Sequence, residues 1–406
     1  MGLRPRMARI VCVAALLLAV LAPVAAAAGP HATVRALDRQ MRHAGTGSGA
    51  FVVDLDTGKE LYNRAADIPR IPASVNKLYT TAAALARFGP EGQLVTDVLG
   101  TANPDEFGVV TGNVYLRGGG DPTFGRGEAR RLARVLAGSG LTEVTGRVIG
   151  DESRFDPLRG GPASGFATSV WVGPLSALTF NRGLTVDRRP SFQRQPAVYA
   201  AQQFERALER AGVDVGRPAR SGVAPVDAVL LGEWASPPMA DLVAQTNRPS
   251  DNFMAETLVK ALGAEFAASG STAAGTGVIR AFATGFGAKP RVVDGSGLSR
   301  RNATTPRDVV ELLSGIDDSE VAQEFDRSLA VAGVSGTLSK RMRRSAARGR
   351  CRAKTGTLNG VSALAGYCDG RAGARLAFAF LMNGVTVLGA NPLQDRMTAA
   401  LARYRP

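Results

Sequence analysis

The chain has 406 residues, a formal net charge of +14, 45% hydrophobic residues and two histidines, His31 and His43. So few imidazoles, both near the start, make a Ser-His-Asp hydrolase or a His-ligated zinc site a poor fit. The length exceeds one compact core of usual size and predicts two or more domains.

Arg4, Arg6 and Arg9 precede an apolar run from Ile10 to Leu21, and small residues from Ala25 to Ala28 follow. This is the pattern of a secretory leader over residues 1–28, too short for an ordinary membrane span. Its removal would lower the charge from +14 to +11. The remaining basic excess suits peripheral contact with an anionic cell wall or membrane surface. An exported chain without a basic, aromatic-rich stripe is a poor candidate for nucleic acid.

Ala50–Leu55 and Glu60–Tyr62 frame Asp56-Thr57-Gly58-Lys59 and predict a hairpin. Pro72-Ala73 then leads into Ser74-Val75-Asn76-Lys77, read as the first turn of a helix that Gly89-Pro90 stops. Residues three apart share a helix face, so Ser74 and Lys77 come within hydrogen-bond reach. A serine hydroxyl is a weak nucleophile until a base takes its proton, and a desolvated lysine can do so.

Residues 92–234 have another texture, rich in Gly and Arg, with short strands around Asn113–Leu116 and Val144–Asp151 and a helix over Ala129–Leu136. They read as an inserted accessory region within a main domain formed by 29–91 and 235–406. Gly118-Gly119-Gly120 lacks the lysine or spacing of a nucleotide loop. Ser250-Asp251-Asn252 follows, between helical stretches at Met239–Gln245 and Phe253–Leu262.

Near the end, Asn359-Gly360 separates two apolar-alternating runs, a strong hairpin signal. A two-residue turn there pairs residues whose numbers sum to 719, which sets Cys351 opposite Cys368 and predicts a disulfide in an oxidising compartment. Lys354-Thr355-Gly356-Thr357 lies on the first strand of this hairpin. Leu376–Leu381 reads as a buried strand and Asn391–Tyr404 as a terminal helix. Strands from both chain ends predict one antiparallel sheet with helices packed on it.

Each motif alone is weak, but the ordered set on helix, inter-helix loop and strand matches the serine, S-D-N and K-T-G signature of penicillin-recognising enzymes. The chain resembles the class C low-molecular-mass penicillin-binding proteins, the D-alanyl-D-alanine carboxypeptidase/endopeptidase family. Leu116–Thr123, Asp294–Asn302 and Val361–Tyr367 resemble further stretches of that family. The interval from Ser74 to Ser250 is shorter than the family pattern, which leaves less room for accessory subdomains.

The resemblance implies an α+β fold of the serine β-lactamase/penicillin-binding-protein type with a large mixed, strand-rich insertion. It implies Ser74 as nucleophile, Lys77 as base, and Lys354 as the cation that keeps Lys77 neutral. Ser250 would relay a proton to the leaving D-alanine, and Asn252 would bond Lys77 or substrate. Thr355, Gly356 and Thr357 would receive the substrate along the strand, Lys354 and the two threonines holding its carboxylate, with Arg300 as a further contact. The N–H groups of Ser74 and Thr357 would form the oxyanion hole. Peptidoglycan stem peptides are the implied substrates, β-lactams the pseudosubstrates, and no metal or cofactor is implied. Two rival readings are a serine β-lactamase or esterase on the same core and a wall-binding penicillin sensor that does not turn over. Asp121 and Asp294 read as structural turn residues.

Overall fold

The computed structural model describes residues 28–406. The expected leader lies outside the described residues except for Ala28, whose N–H donates to the Arg403 carbonyl at 2.8 Å. The chain opens with α1 (Pro30–His43), β1 (Ser48–Asp54), β2 (Lys59–Arg64) and α2 (Lys77–Phe88). The middle runs through β3 (Val95–Gly100), β4 (Val109–Val110), β5 (Val114–Arg117), α3 (Arg126–Gly138), β6 (Glu143–Val144) and β7 (Val148–Asp151). It continues with α4 (Pro196–Arg210), β8 (Asp214–Val215), β9 (Arg220–Ser221) and β10 (Val229–Ala235). Five helices follow: α5 (Met239–Asn247), α6 (Asn252–Phe266), α7 (Thr272–Thr284), α8 (Pro306–Asp317) and α9 (Ala322–Ser328). The last elements are β11 (Ala330–Val331), β12 (Cys351–Leu358), β13 (Val361–Asp369), β14 (Arg375–Asn383) and α10 (Val387–Leu401).

One antiparallel six-stranded sheet has the order β11-β12-β13-β14-β1-β2, so the first hairpin is stitched to the last strand. Its central strands are covered on both faces, which is why β14 reads as an unbroken apolar run. Alternate residues divide between two cores. Ala363, Ala365, Tyr367, Ala377, Ala379 and Leu381 join the core shared with α2, α5, α6, α7 and α8. Leu364, Cys368, Leu376, Phe378, Phe380 and Met382 face α1 and α10 on the other side.

The β12–β13 register is the expected one, with Cys351 opposite Cys368 and Lys354 opposite Ala365, and the two cysteines form a disulfide. The terminal helix begins at Val387, earlier than Asn391, because the Thr386 hydroxyl caps it by accepting from Gly389 N at 3.3 Å. Residues 95–235 supply every strand of two further sheets: a mixed one, β10-β3-β5-β7-β9, and a small parallel one, β4-β6-β8. α3 and α4 pack on them around their own apolar core, which includes Leu132, Phe180 and Phe204.

Candidate active site

Ser74 is not in the first turn of an α-helix as expected. It lies in a 3₁₀ turn, Ala73–Asn76, and α2 starts at Lys77. In a 3₁₀ turn residues i and i+3 eclipse. Lys77 Nζ accordingly stands 3.0 Å from Ser74 Oγ. It also donates to Asn252 Oδ1 at 2.7 Å and to the Ser296 carbonyl at 2.6 Å. The Lys77 side chain is fully buried, and this burial lowers its pKa to about 8 against the opposing pull of Glu256, Asp294 and Asp251. Lys354 is not the cause of that lowering. Lys354 is itself buried, and burial first and the charge of Lys77 second push its pKa well below the usual lysine range.

The second motif stands where α5 hands over to α6. Asp251 caps α6 by accepting from Met254 N at 2.9 Å and is salt-bridged by Arg182 from the middle region. Asn252 is the first helical residue and so faces Lys77, while its Nδ2 donates to the Trp171 carbonyl at 3.1 Å. Ser250 takes a left-handed backbone, φ 65°, unusual for a residue with a side chain. Its hydroxyl accepts from Lys354 Nζ at 2.7 Å.

The third motif is on β12, beside the 3₁₀ turn. Lys354 Nζ also donates to the Thr355 carbonyl at 2.9 Å, and Thr355 Oγ1 lies 2.9 Å from Thr337 Oγ1. A Cβ on Gly356 would meet the Pro72 carbonyl oxygen at 2.5 Å and Val75 N at 3.1 Å. Glycine is required there because the strand closes on the backbone that carries Ser74, a packing reason in addition to the substrate-approach role expected of it.

These segments open onto one cavity of about 710 Å³, bordered by Ser74, Ser250, Asn252, Thr355 and Thr357, with Trp171 and Val172 from the middle region across from them. Lys77 and Lys354 are fully buried behind lining residues that they bond, Ser74 and Asn252 for the first and Ser250 for the second. Arg300 does not border it; its guanidinium donates to the Asn359 carbonyl at 2.9 Å, bracing the hairpin turn at the rim. Asp294 is the turn organiser it was expected to be. Its carboxylate accepts from Gly297 N at 2.8 Å, Ser299 N at 2.6 Å and Asn302 Nδ2 at 2.7 Å, fixing the loop that presents the Ser296 carbonyl to Lys77.

Sequence reasoning missed Ser296 and Glu256. Glu256 is one helical turn beyond Asn252, on the same face of α6, and that spacing was the available signal. Only the folded chain shows that the face is buried against Lys77.

The family model of the D-Ala-D-Ala carboxypeptidase 3 (S13) family matches residues 32–189 and 189–404. The chain belongs to that family. It is therefore a serine-type carboxypeptidase by descent. The chain is 32% identical over 442 residues to a D-alanyl-D-alanine carboxypeptidase of Actinomadura sp. (strain R39), covering 89% of this chain and 82% of that one. It is also 32% identical to carboxypeptidase DacB of Mycolicibacterium smegmatis, over 86% of this chain and 79% of the relative. Penicillin-binding protein 4 (dacB) of Haemophilus influenzae superposes with a TM-score of 0.77 at 22% identity, covering 89% of this chain and 97% of that structure. The S13 chain thus has the α+β fold of the penicillin-binding-protein type. No helix among the described residues is long and apolar enough to cross a membrane.

Proposed function

We propose that this chain is an exported D-alanyl-D-alanine carboxypeptidase that removes the terminal D-alanine of peptidoglycan stem peptides through an acyl-enzyme on Ser74. One observation carries the reading: the three contacts of Lys77 Nζ. A neutral amine has two N–H donors and one lone pair. With its donors on the Asn252 and Ser296 oxygens, at 2.7 and 2.6 Å, the lone pair is left for the Ser74 hydroxyl. After taking the proton, the ammonium keeps three acceptors. The site therefore serves both protonation states without rearrangement, as a general base requires.

Ser74 Oγ attacks the penultimate carbonyl, its proton passing to Lys77. Backbone N–H groups of Ser74 and Thr357 hold the developing oxyanion. Ser250, joined to Lys354, passes a proton to the departing amine of D-alanine, and water then releases the acyl group. The arriving substrate carboxylate meets Lys354, Thr355 and Thr357; its negative charge raises the proton affinity of Lys354 and restores the ammonium that binds it. β-Lactams, whose carboxylate and amide are placed alike, acylate the same serine. Cleavage of the equivalent bond in a cross-link is the endopeptidase form of this reaction.

Residues 29–91 and 235–406 act as the catalytic domain, and 92–234 as an accessory insertion that contributes a wall of the cleft. The leader directs export, and the basic excess favours contact with anionic wall or membrane surfaces. The test compares wild type with Ser74→Ala in labelling by a fluorescent penicillin and in D-alanine release from a diacyl-lysyl-D-alanyl-D-alanine peptide. Labelling and release in the wild type alone are expected. Equal labelling of the two proteins would reject the assignment, and rapid nitrocefin turnover without a lasting adduct would favour a β-lactamase.

A further inference from the structure

The mechanism above leaves one buried acid at the cleft without a task. Glu256 is 1% exposed and borders the cavity between Asn252 and Ser296. Its Oε1 accepts from Ser296 N at 2.9 Å, while its Oε2 is buried with no hydrogen-bond partner among the described residues. A carboxylate in such a place is costly unless both oxygens are satisfied, whereas a carboxylic acid is tolerated. The cover over it is tight: a Cβ on Gly161 would come within 3.3 Å of the carboxyl carbon. The segment before Gly161 is held by Lys260, one turn further along α6, which donates to Asp156 Oδ1 at 2.6 Å and the Leu158 carbonyl at 2.7 Å.

Ser296 links this acid to the base. Its N–H is bonded to Glu256, and its carbonyl accepts from Lys77 Nζ at 2.6 Å. We propose that Glu256 and Lys77 share a single proton across Ser296, and that of the two one-proton forms only the one with the proton on Glu256 leaves Lys77 able to activate Ser74. The inference rests on Lys77 being the base. Two arrangements carry the same net charge: acid with amine, and carboxylate with ammonium. Neither changes the total charge of the cleft, but only the first leaves a lone pair facing Ser74 Oγ. In the acylation step the Ser74 proton moves to Lys77 Nζ as the Oγ–carbon bond forms, and Glu256 keeps its own proton. The other charged groups around the pair are Asp294 from the 294–302 loop, Asp251 and Lys260 from α6, and Lys354 from β12, which acts through Lys77. Burial, with Asp294 second, raises the Glu256 pKa to about 7, and Glu256 is the first of the carboxylates whose charge opposes the lowering of the Lys77 pKa.

This makes Glu256 a positioning residue, and its signature is the shape of a pH profile. Acylation of the full chain by a fluorescent penicillin is followed from about pH 5 to about pH 10 for wild type and Glu256→Gln. The wild-type acid limb is expected to spread over two overlapping steps. In Glu256→Gln the nearby negative charge is gone, so Lys77 loses its proton more readily. The limb becomes a single step; at its acid end, where wild-type Glu256 already holds a proton, the two rates converge, while between about pH 7 and about pH 8 the variant is several-fold faster than wild type. An acid limb of unchanged shape and position would overturn the proposal while leaving Lys77 as the base. A wild type that is not acylated at any pH would instead sink the functional reading. Should Glu256→Gln fail to fold, side-chain carboxyl NMR of glutamate-labelled wild type decides. One glutamate is expected to stay protonated to near neutral pH and to shift its midpoint on penicillin acylation. Ordinary acidic titration of every glutamate would refute the sharing.

Discussion

Lys354 Nζ stands 2.7 Å from Ser250 Oγ, and Lys77 Nζ stands 3.0 Å from Ser74 Oγ, so each lysine of the cleft is matched to its own serine. In the proposed mechanism the Lys77 pair serves the attacking oxygen and the Lys354 pair the departing nitrogen. Replacing Lys77 with methionine keeps the apolar stem and removes the base. Acylation by penicillin is expected to fall by about 10²–10⁴ with the thermal midpoint little changed, read by stopped-flow quenching and differential scanning fluorimetry.

The same lysine sets the pH response. Burial lowers its pKa to about 8, so below that value it is mostly ammonium, without a lone pair, and above it mostly amine. Acylation should therefore rise with pH and level off above about 8. A rate that declines over this interval would contradict the assignment of the base.

Asn252 joins two parts of the molecule, since its oxygen accepts from Lys77 and its nitrogen donates to the Trp171 carbonyl at 3.1 Å. Asn252→Ala deprives the ammonium of one acceptor and frees the Trp171 segment. A loss of about tenfold to a hundredfold in acylation is expected, the worth of one hydrogen bond to a charged group. Asn252→Asp places a carboxylate on Lys77 instead and should move the rise in rate to higher pH, as measured by the same quenching assay.

Gly356→Ala tests how closely β12 packs on the nucleophile turn. The new methyl would meet backbone, the Pro72 carbonyl oxygen at 2.5 Å, which cannot rotate away as a side chain could. Overpacking of this kind costs about 1–3 kcal/mol. Both denaturant midpoint and acylation rate are expected to drop together, because the strand and the Ser74 turn must move apart.

The disulfide clamps the far end of the strand that carries Lys354. Replacing Cys351 and Cys368 together by alanine opens a loop of sequence separation 17 and should cost about 2–4 kcal/mol in unfolding free energy. Acylation at low temperature should survive, since Lys354 and Ser250 remain held by the sheet and by α6; loss on warming is the measurable effect.

What could be read before folding was whatever depends on neighbours in the chain. Asn359-Gly360 declares its hairpin and hence the pairing of Cys351 with Cys368. Ser74, Ser250 and Lys354 stand out by local pattern. The Thr305-Pro306-Arg307-Asp308 start of α8 carries a full capping box that went unread. The strands of the middle region were hardly legible for a physical reason: β4, β6, β8 and β9 are two residues long, too short to display any alternation. Glu256 was illegible for another reason. Its spacing from Asn252 is the only local mark it carries; its character comes from the Ser296 N–H and the Gly161 backbone that close on it, both brought in from elsewhere.

The pairing of β1 with β14 joins Phe51 to Ala379 and Val52 to Phe378, across almost the whole chain. A ribosome delivering this protein would release the amino-terminal hairpin long before its central partner exists. Until the carboxyl-terminal strand arrives, β1 keeps an open edge, and Phe51 and Val52 lack the Ala379 and Phe378 neighbours they pair with. Assembly of the main sheet is thus a late event with a large loop-closure cost, and folding should be slow. Loss of even the last thirty or so residues would leave the nucleophile attached to a sheet that cannot close.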